Sequence, residues 1–134
     1  MRKVKYVFDT GPLLLYFAGD EGVRGFFEDV FRGEAEGYTC EANVAELYYK
    51  TCEKLGREAA EIRIASLRDS VSVLPLDERL TRAAGALKCK YGGRVSLVDA
   101  YTLAAAKILG GILVTTDSRL AELKVVQVKL VRPS

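Results

Sequence analysis

Short runs of β-branched and aromatic residues alternate along this chain with longer segments of helical periodicity. The strand-like runs are residues 3–8, 38–40, 71–74, 112–115 and 126–131, and the helical segments are residues 13–17, 22–31, 43–55, 57–68, 77–90, 96–109 and 118–123. Strands that are separated by helices pair in parallel, because the helix carries the chain back to the edge where the previous strand began. The pattern therefore predicts an α/β fold with a mainly parallel central sheet of about five strands, covered by helices on both faces.

The length of 134 residues predicts one domain spanning residues 1–134, since domains most often contain about 100 to 150 residues. The longest apolar stretches fall short of the roughly 18 residues that a membrane-spanning helix needs, and the N-terminus lacks the apolar region of a secretory signal. Three cysteines without a Cys-x-x-Cys pair suit a reducing compartment. We therefore predict a cytoplasmic protein that does not enter a membrane.

Histidine is absent from the sequence. Its absence excludes Ser-His-Asp and Cys-His catalysis, histidine general bases and every metal site that needs imidazole. Carboxylates are then the abundant candidates for catalysis, and carboxylates with water are the ligands that Mg²⁺ and Mn²⁺ prefer. The net charge of +2 allows a nucleic-acid partner without arguing for one.

Four acidic residues stand where the predicted fold would bring them to one edge of the sheet. Asp9 and Asp117 directly follow strand-like runs, while Glu46 and Asp99 lie near the starts of helices. In open parallel sheets, ligands bind outside the carboxyl ends of the strands. Asp99 is the hardest to explain as structural, because its neighbours at i+3, i+4 and i+7 are small or apolar and an unpaired carboxylate there would be costly.

Three of the four acids also have a structural explanation, and for any one acid alone the structural explanation is the better one. The explanations are a capping box for Ser96 with Asp99 and for Asn43 with Glu46, an N-cap for Asp117, and an i, i+4 ion pair of Glu46 with Lys50. Four carboxylates on one rim would nevertheless repel one another unless a cation offset their charge. The set as a whole therefore predicts bound Mg²⁺ or Mn²⁺ and metal-assisted hydrolysis of a phosphodiester.

The acids occur in the order and context of the PIN-domain ribonucleases, and the chain resembles a small member of that family, most like the VapC-type toxins of toxin–antitoxin pairs. The matching pieces are Asp9-Thr10 after a strand, Asn43-Val44-Ala45-Glu46-Leu47, Leu97-Val98-Asp99-Ala100 and Leu113-Val114-Thr115-Thr116-Asp117. The resemblance implies a divalent-metal-dependent endoribonuclease that cleaves RNA as a type II toxin. It implies that Asp9, Glu46, Asp99 and Asp117 are the catalytic metal ligands, with Thr115 and Thr10 supporting them through their hydroxyls.

The resemblance also implies partners, because relatives are commonly homodimers that an antitoxin protein inhibits. Two residues depart from the family pattern: Gly11 stands where many relatives have Ser or Asn, and Leu120 where they often have Phe. We expect the first to weaken a hydrogen bond near the metal and the second to alter packing only.

Three basic residues near the predicted rim, Lys50, Arg94 and Arg119, are candidates for RNA binding, although solvated surface charge also explains each of them. A dehalogenase-type phosphatase is disfavoured because it needs an acid at the position of Gly11. A receiver domain is disfavoured because Lys3 and Lys5 occupy the positions where it needs acids. A non-catalytic partner-binding module and a PIN nuclease of RNA processing remain alternatives.

Aromatic residues crowd the first two predicted helices. They are Tyr16, Phe17, Phe26, Phe27 and Phe31. One helix face cannot bury all of them, because adjacent helical residues point about 100° apart. They form either a patch for a second subunit or an antitoxin helix, or an interior that neighbouring helices and Leu55 cover.

Overall fold

The computed structural model describes residues 2–134, and within them five strands form one entirely parallel sheet. The strands are β1 (Val4–Phe8), β2 (Ala35–Cys40), β3 (Ser72–Leu74), β4 (Ile112–Thr115) and β5 (Val128–Leu130), in the order β3-β2-β1-β4-β5. All four strand pairs are parallel, and β1 lies at the centre between β2 and β4. The predicted fold class is confirmed.

Helices cover both faces of this sheet. They are α1 (Thr10–Phe17), α2 (Glu21–Phe31), α3 (Glu41–Leu55), α4 (Arg57–Ser70), α5 (Glu78–Tyr91), α6 (Leu97–Leu109) and α7 (Ser118–Glu122), with a 3₁₀ turn at Gly92–Arg94. Successive strand residues point to opposite faces. Val7 accordingly packs with α5 and α6 in one buried cluster, whereas Phe8 packs with α1 and α2 in the other.

The second strand begins three residues earlier than the sequence pattern predicts. Residues 35–37 are Ala-Glu-Gly, which are residues of low strand propensity, so tertiary packing decides their conformation. A side-chain carbon added at Gly37 would lie 3.0 Å from both Val30 and Val71, so the glycine lets these side chains pack directly on the strand. No helix in the described part of the chain is long and apolar enough to cross a membrane.

The aromatic cluster is divided between the core and the surface. Phe27 is only 1% exposed and stacks on Phe8 and Tyr16 at centroid distances of 4.4 and 4.1 Å. Phe31, in contrast, is 54% exposed. Phe27 therefore cannot belong to a surface patch, whereas Phe31 is accessible to a partner, and the patch itself stays a prediction. Leu55 is itself 60% exposed and is not part of the buried cluster that contains Phe27.

Candidate active site

Asp9 lies at the carboxyl end of the central strand, where the predicted site should be. It caps α1, and its backbone N–H donates to the carbonyl of Val114 at 2.9 Å, which ties this position to β4. Its carboxylate is 7% exposed and accepts hydrogen bonds from the Thr115 hydroxyl at 2.7 Å and from the Thr10 N–H at 2.9 Å. The hydrogen-bond donors to this buried carboxylate are thus neutral.

Burial raises the pKa of Asp9 from its ordinary value of 3.8 to about 6. The hydrogen bonds from Thr115 and Thr10 lower the pKa, but burial outweighs them, and the charges of Asp99 and Glu46 raise it further. These two carboxylates therefore lie close enough to act on Asp9 through their charge. The fold therefore brings two of the predicted acids, Asp99 and Glu46, into the neighbourhood of Asp9, which is the most deeply buried of the four.

Asp99 stands in the first turn of α6 and forms the predicted capping box. The Asp99 N–H donates to the Ser96 hydroxyl, and the Ser96 N–H donates to the Asp99 carboxylate, both at 3.0 Å. The structural explanation for this acid is confirmed. It leaves one oxygen of the carboxylate, Oδ1, outside the capping box, so capping and a role in the site are compatible.

Asp117 begins α7 and is held by Arg119. It accepts the Arg119 backbone N–H at 2.9 Å, and both of its oxygens contact the guanidinium at 2.9 and 3.1 Å. This contact lowers the pKa of Asp117, and the charge of Asp99 contributes to the raised pKa of Arg119. Arg119 is therefore near the predicted rim, but its guanidinium is occupied by a carboxylate.

Glu46 and Lys50 form the predicted i, i+4 pair on α3, with 3.9 Å between Oε1 and Nζ. At that distance, and with the Lys50 side chain 42% exposed, the pair contributes little to stability. The alternative capping box of Asn43 with Glu46 is wrong, because α3 begins earlier, at Glu41, with Cys40 as its N-cap.

Asn43 is a member of the site that sequence reasoning assigned to a different role. It is fully buried inside α3, and its amide nitrogen lies 2.9 Å from the Thr102 hydroxyl, 3.1 Å from that of Thr10 and 3.4 Å from Asp9 Oδ1. Its amide oxygen accepts from the Cys40 thiol at 3.0 Å. An asparagine within a helix and beside buried apolar positions is the signal that could have identified it, because such a side chain needs partners.

Replacing this amide should cost stability. We expect Asn43→Ala to lower the free energy of unfolding by about 2 kcal/mol, because it removes hydrogen-bond partners from buried hydroxyls and from Asp9. Urea unfolding measures the change, with Gln127→Ala, the loss of an exposed amide, as the control within about 0.5 kcal/mol of the wild type. An Asn43→Ala variant as stable as this control would contradict the network.

The two predicted supporting threonines are connected to Asp9 in different ways. Thr115 donates to Asp9 and accepts the Asp117 N–H at 3.1 Å, so it links two of the acids. Thr10 donates its backbone N–H to Asp9 and accepts from Asn43. A side-chain carbon added at Gly11 would overlap the Thr116 hydroxyl, so a larger residue at this position would require Thr116 to move. Leu120 is buried in the core, which agrees with a change of packing only.

The donor set fits a hard divalent cation. The carboxylates and hydroxyls around Asp9 offer oxygen only, as Mg²⁺ and Mn²⁺ prefer. Within residues 2–134, however, no three carboxylate, thiol or imidazole side chains converge closely enough to form a ready metal site. Asp99, Asp117 and Glu46 each contact a partner of their own, and among the acids only Asp9 is both buried and without a cationic partner in the described residues.

Solved structures of other proteins share this fold. A chain of the VapBC2 complex from Rickettsia felis, solved bound to a DNA fragment from their promoter, is 12% identical, with a TM-score of 0.80 over 96% of this chain and 100% of that one. A chain of DNA-bound VapBC from Salmonella typhimurium is 19% identical, with a TM-score of 0.75 over 94% of this chain and 97% of that one.

VapC20 from Mycobacterium tuberculosis, a toxin that cleaves the sarcin-ricin loop, is 20% identical, with a TM-score of 0.69 over 89% of this chain and 95% of that one. At these identities the likeness shows a shared fold. A search of curated proteins finds no match. The sequence itself matches the PIN domain over residues 6–126. Because this match spans most of the chain and includes all four acids, the chain belongs to the PIN-domain family.

Proposed function

We propose that this chain is a divalent-metal-dependent endoribonuclease and the toxin of a type II toxin–antitoxin pair. The observation that carries the proposal is Asp9, a buried carboxylate with a raised pKa, neutral hydrogen-bond donors and two further carboxylates nearby. Such an arrangement lowers the stability of the folded chain unless a cation offsets the negative charge. The fold shared with VapC20, a toxin that cleaves the sarcin-ricin loop, supports RNA as the substrate.

The residues of the site have separate roles in the proposed reaction. Asp9, Glu46, Asp99 and Asp117 would hold Mg²⁺ or Mn²⁺ through carboxylate oxygens. When bound, the cation polarises the phosphodiester and lowers the pKa of a water molecule. Thr115 fixes the orientation of Asp9 through its 2.7 Å hydrogen bond, and Thr10 supports Asp9 through its backbone N–H. Lys50, Arg94 and Arg119 are the proposed contacts to RNA phosphates.

The products test the reaction. We expect RNA cleavage that needs Mg²⁺ or Mn²⁺ and that stops in excess EDTA. With water as the nucleophile, the bond from phosphorus to the 3′ oxygen breaks, so the products carry 5′-phosphate and 3′-hydroxyl ends. End-group analysis distinguishes this outcome from attack by the ribose 2′-hydroxyl. A 2′,3′-cyclic phosphate, or full activity in EDTA, would contradict the proposal.

A groove beside the acids supports an antitoxin as the partner. It has a volume of about 620 Å³ and lies between α1 and the hairpin of α3 and α4. Its apolar side chains include Leu14, Leu15 and Leu55. Its charged side chains are three cations and one acid, namely Lys50, Lys54, Arg63 and Glu53. An amphipathic helix with acidic flanks would cover both kinds of side chain. Its position next to Lys50, the partner of Glu46, would place such a helix against the catalytic rim.

Substitution in this groove should release the partner without unfolding the chain. We expect the product of the adjacent reading frame to form a complex with this chain, and Leu55→Glu to weaken the complex by about 2 kcal/mol. Ile62→Glu is the matched control, because Ile62 is 63% exposed but does not line the groove. Calorimetry measures both affinities. Equal binding by the two variants would disprove this site.

We also propose a cytoplasmic location and a homodimer. A cytoplasmic location agrees with three free cysteines, and the exposed Phe31 is the side chain at which a homodimer would be tested by sedimentation of Phe31→Glu. If no antitoxin gene accompanies this chain, the alternative of a nuclease in RNA processing gains weight. If Mg²⁺ and Mn²⁺ fail to bind, the alternative of a non-catalytic partner-binding module is favoured.

A further inference from the structure

A second groove, on the face formed by α5 and α6, combines an apolar floor with a basic rim. Its volume is about 670 Å³, and Leu87, Ala104 and Ile108 are among the apolar side chains that line it. Its charged lining consists of Arg79, Lys90, Lys107 and Lys124. No carboxylate of residues 2–134 lines this groove. The groove therefore concentrates positive charge that the small net charge of the chain conceals.

These four cations are also free of ion pairs within the described residues, unlike six other basic residues of the chain. On α5, Glu78 bonds to Arg82 at 2.6 Å, which leaves Arg79 without its neighbouring acid. In the last turn, Lys88 donates to the carbonyls of Gly92 and Val95. Lys90 instead lies over the ring of Tyr91, and its charge faces the groove.

One end of the groove, at Tyr91, lies towards the acidic rim, whereas Lys107 and Lys124 lie at its other end, shortly before β4 and β5 begin. The helices α5 and α6 are joined by the short turn at Gly92–Arg94, so the end of α5 and the start of α6 lie at the same edge of the sheet. Tyr91 marks that end of the groove, with Lys90 at 5.3 Å and Arg94 at 5.6 Å from its ring centre. Asp99 stands in the first turn of α6. From Arg79 to Tyr91 the groove follows α5 for about 18 Å.

We propose that this basic groove, defined by Arg79, Lys90, Tyr91, Lys107 and Lys124, binds the single-stranded RNA that continues from the acidic rim. The inference rests on the proposed function for its ligand class. Unpaired cations match a phosphate backbone, and Lys90 and Arg94 lie within 5.6 Å of the Tyr91 ring centre, so this end of the groove presents positive charge and an aromatic ring together, as proteins that bind single strands do. A second copy docked through the same face would oppose cation to cation, which disfavours this alternative.

Binding without cleavage tests the groove separately from the reaction. The probe is a labelled single-stranded RNA of mixed sequence, about 20 nucleotides long, titrated in EDTA against Asp9→Asn protein. We expect Lys90→Glu with Lys107→Glu to weaken binding at least about tenfold. The slope of log Kd against log salt should also fall by about 1.4, because each lost phosphate contact removes about 0.7 for single strands.

The matched control reverses two charges elsewhere. Arg2→Glu with Lys3→Glu changes the net charge equally, but these exposed residues lie before β1 and do not line the groove. We expect this control to weaken binding less than about twofold. Equal losses in both double variants would overturn the proposal. The milder pair Lys90→Gln with Lys107→Gln repeats the test with the same expected change of slope, should the charge reversal unfold the chain.

Two further measurements separate the possible failures. Poly-glutamate at equal charge should not displace the labelled RNA. If poly-glutamate displaced it as effectively as unlabelled RNA does, the proposal that the groove binds RNA would be overturned. With native Asp9 and Mg²⁺, the groove variant should cut the same RNA with a raised KM and a nearly unchanged kcat. An unchanged KM overturns the groove alone. Absence of cleavage by the wild type, with RNA binding still lost in the groove variant, would refute the proposed function and support the groove.

Discussion

Asp9→Asn should reduce RNA cleavage about a thousandfold, or by ~4 kcal/mol of activation free energy. The reason is geometric as well as electrostatic. Asp9 is the most buried of the four acids and lies at the end of the central strand, where the hydrogen bond from Thr115 fixes its orientation. An amide in its place keeps the shape of the side chain but removes the negative charge that would hold a cation.

Single-turnover cleavage in saturating Mg²⁺ measures this effect. Asp69→Asn is the matched control, because it makes the same substitution at an exposed position on α4 and should leave the rate within about twofold of the wild type. Calorimetric titration with Mn²⁺ adds a readout that does not depend on RNA, and Asp9→Asn should abolish the binding heat. An Asp9→Asn chain that cleaves at the wild-type rate would refute the proposed function.

Asp9 could be located from the sequence because its surroundings combine several local signals. An alternating run, followed by Asp-Thr-Gly-Pro, fixes the end of a strand and the start of a helix. The order of the strands then decides which residues meet it, and parallel pairing brings the start of α7 to the same edge. The local sequence pattern and the strand order therefore place Asp9 at the same edge of the sheet.

Asn43 was assigned to the wrong place because the true start of α3 carries no capping signal. Cys40 is the N-cap and makes no side-chain capping bond, whereas Asn43 has the composition of a cap. Its real partners, Thr10 and Thr102, are 33 and 59 residues away in sequence. No local pattern reports such contacts, because they exist only after the sheet has brought α3 and α6 together.

The surroundings of the basic residues also could not be predicted from neighbouring positions in the sequence. Proximity in sequence to the acids selected Lys50 and Arg119, but that proximity is what pairs them with Glu46 and Asp117. The unpaired cations that line the basic groove come from α5, α6 and the segment after α7. Only the packing of these elements side by side reveals a basic groove, so it could not be predicted from charge along the chain.

The raised pKa of Asp9 predicts a stability difference that depends on pH. In the folded chain the pKa is about 6, and in the unfolded chain it has its ordinary value of 3.8. Since the folded value is the higher one, the protonated carboxyl favours folding, and this contribution is fully present below about pH 4 and lost as the pH rises through about 6. The difference between these two pKa values corresponds to a decrease of about 3 kcal/mol in the free energy of unfolding at pH 7 in the absence of metal.

Urea unfolding in EDTA between about pH 4 and pH 7 isolates this contribution, because Asp9→Asn has no carboxyl to titrate. Relative to the wild type, the free energy of unfolding of the variant should rise by about 3 kcal/mol as the pH increases over that range. The altered hydrogen bonds of the variant to Thr115 and Thr10 add a difference in stability that does not change with pH. Asp69→Asn reports the general effect of removing one negative charge. A difference between Asp9→Asn and wild type that stays constant with pH would mean that the protein itself compensates the Asp9 charge. That result would remove the physical reason for expecting a cation at this edge of the sheet.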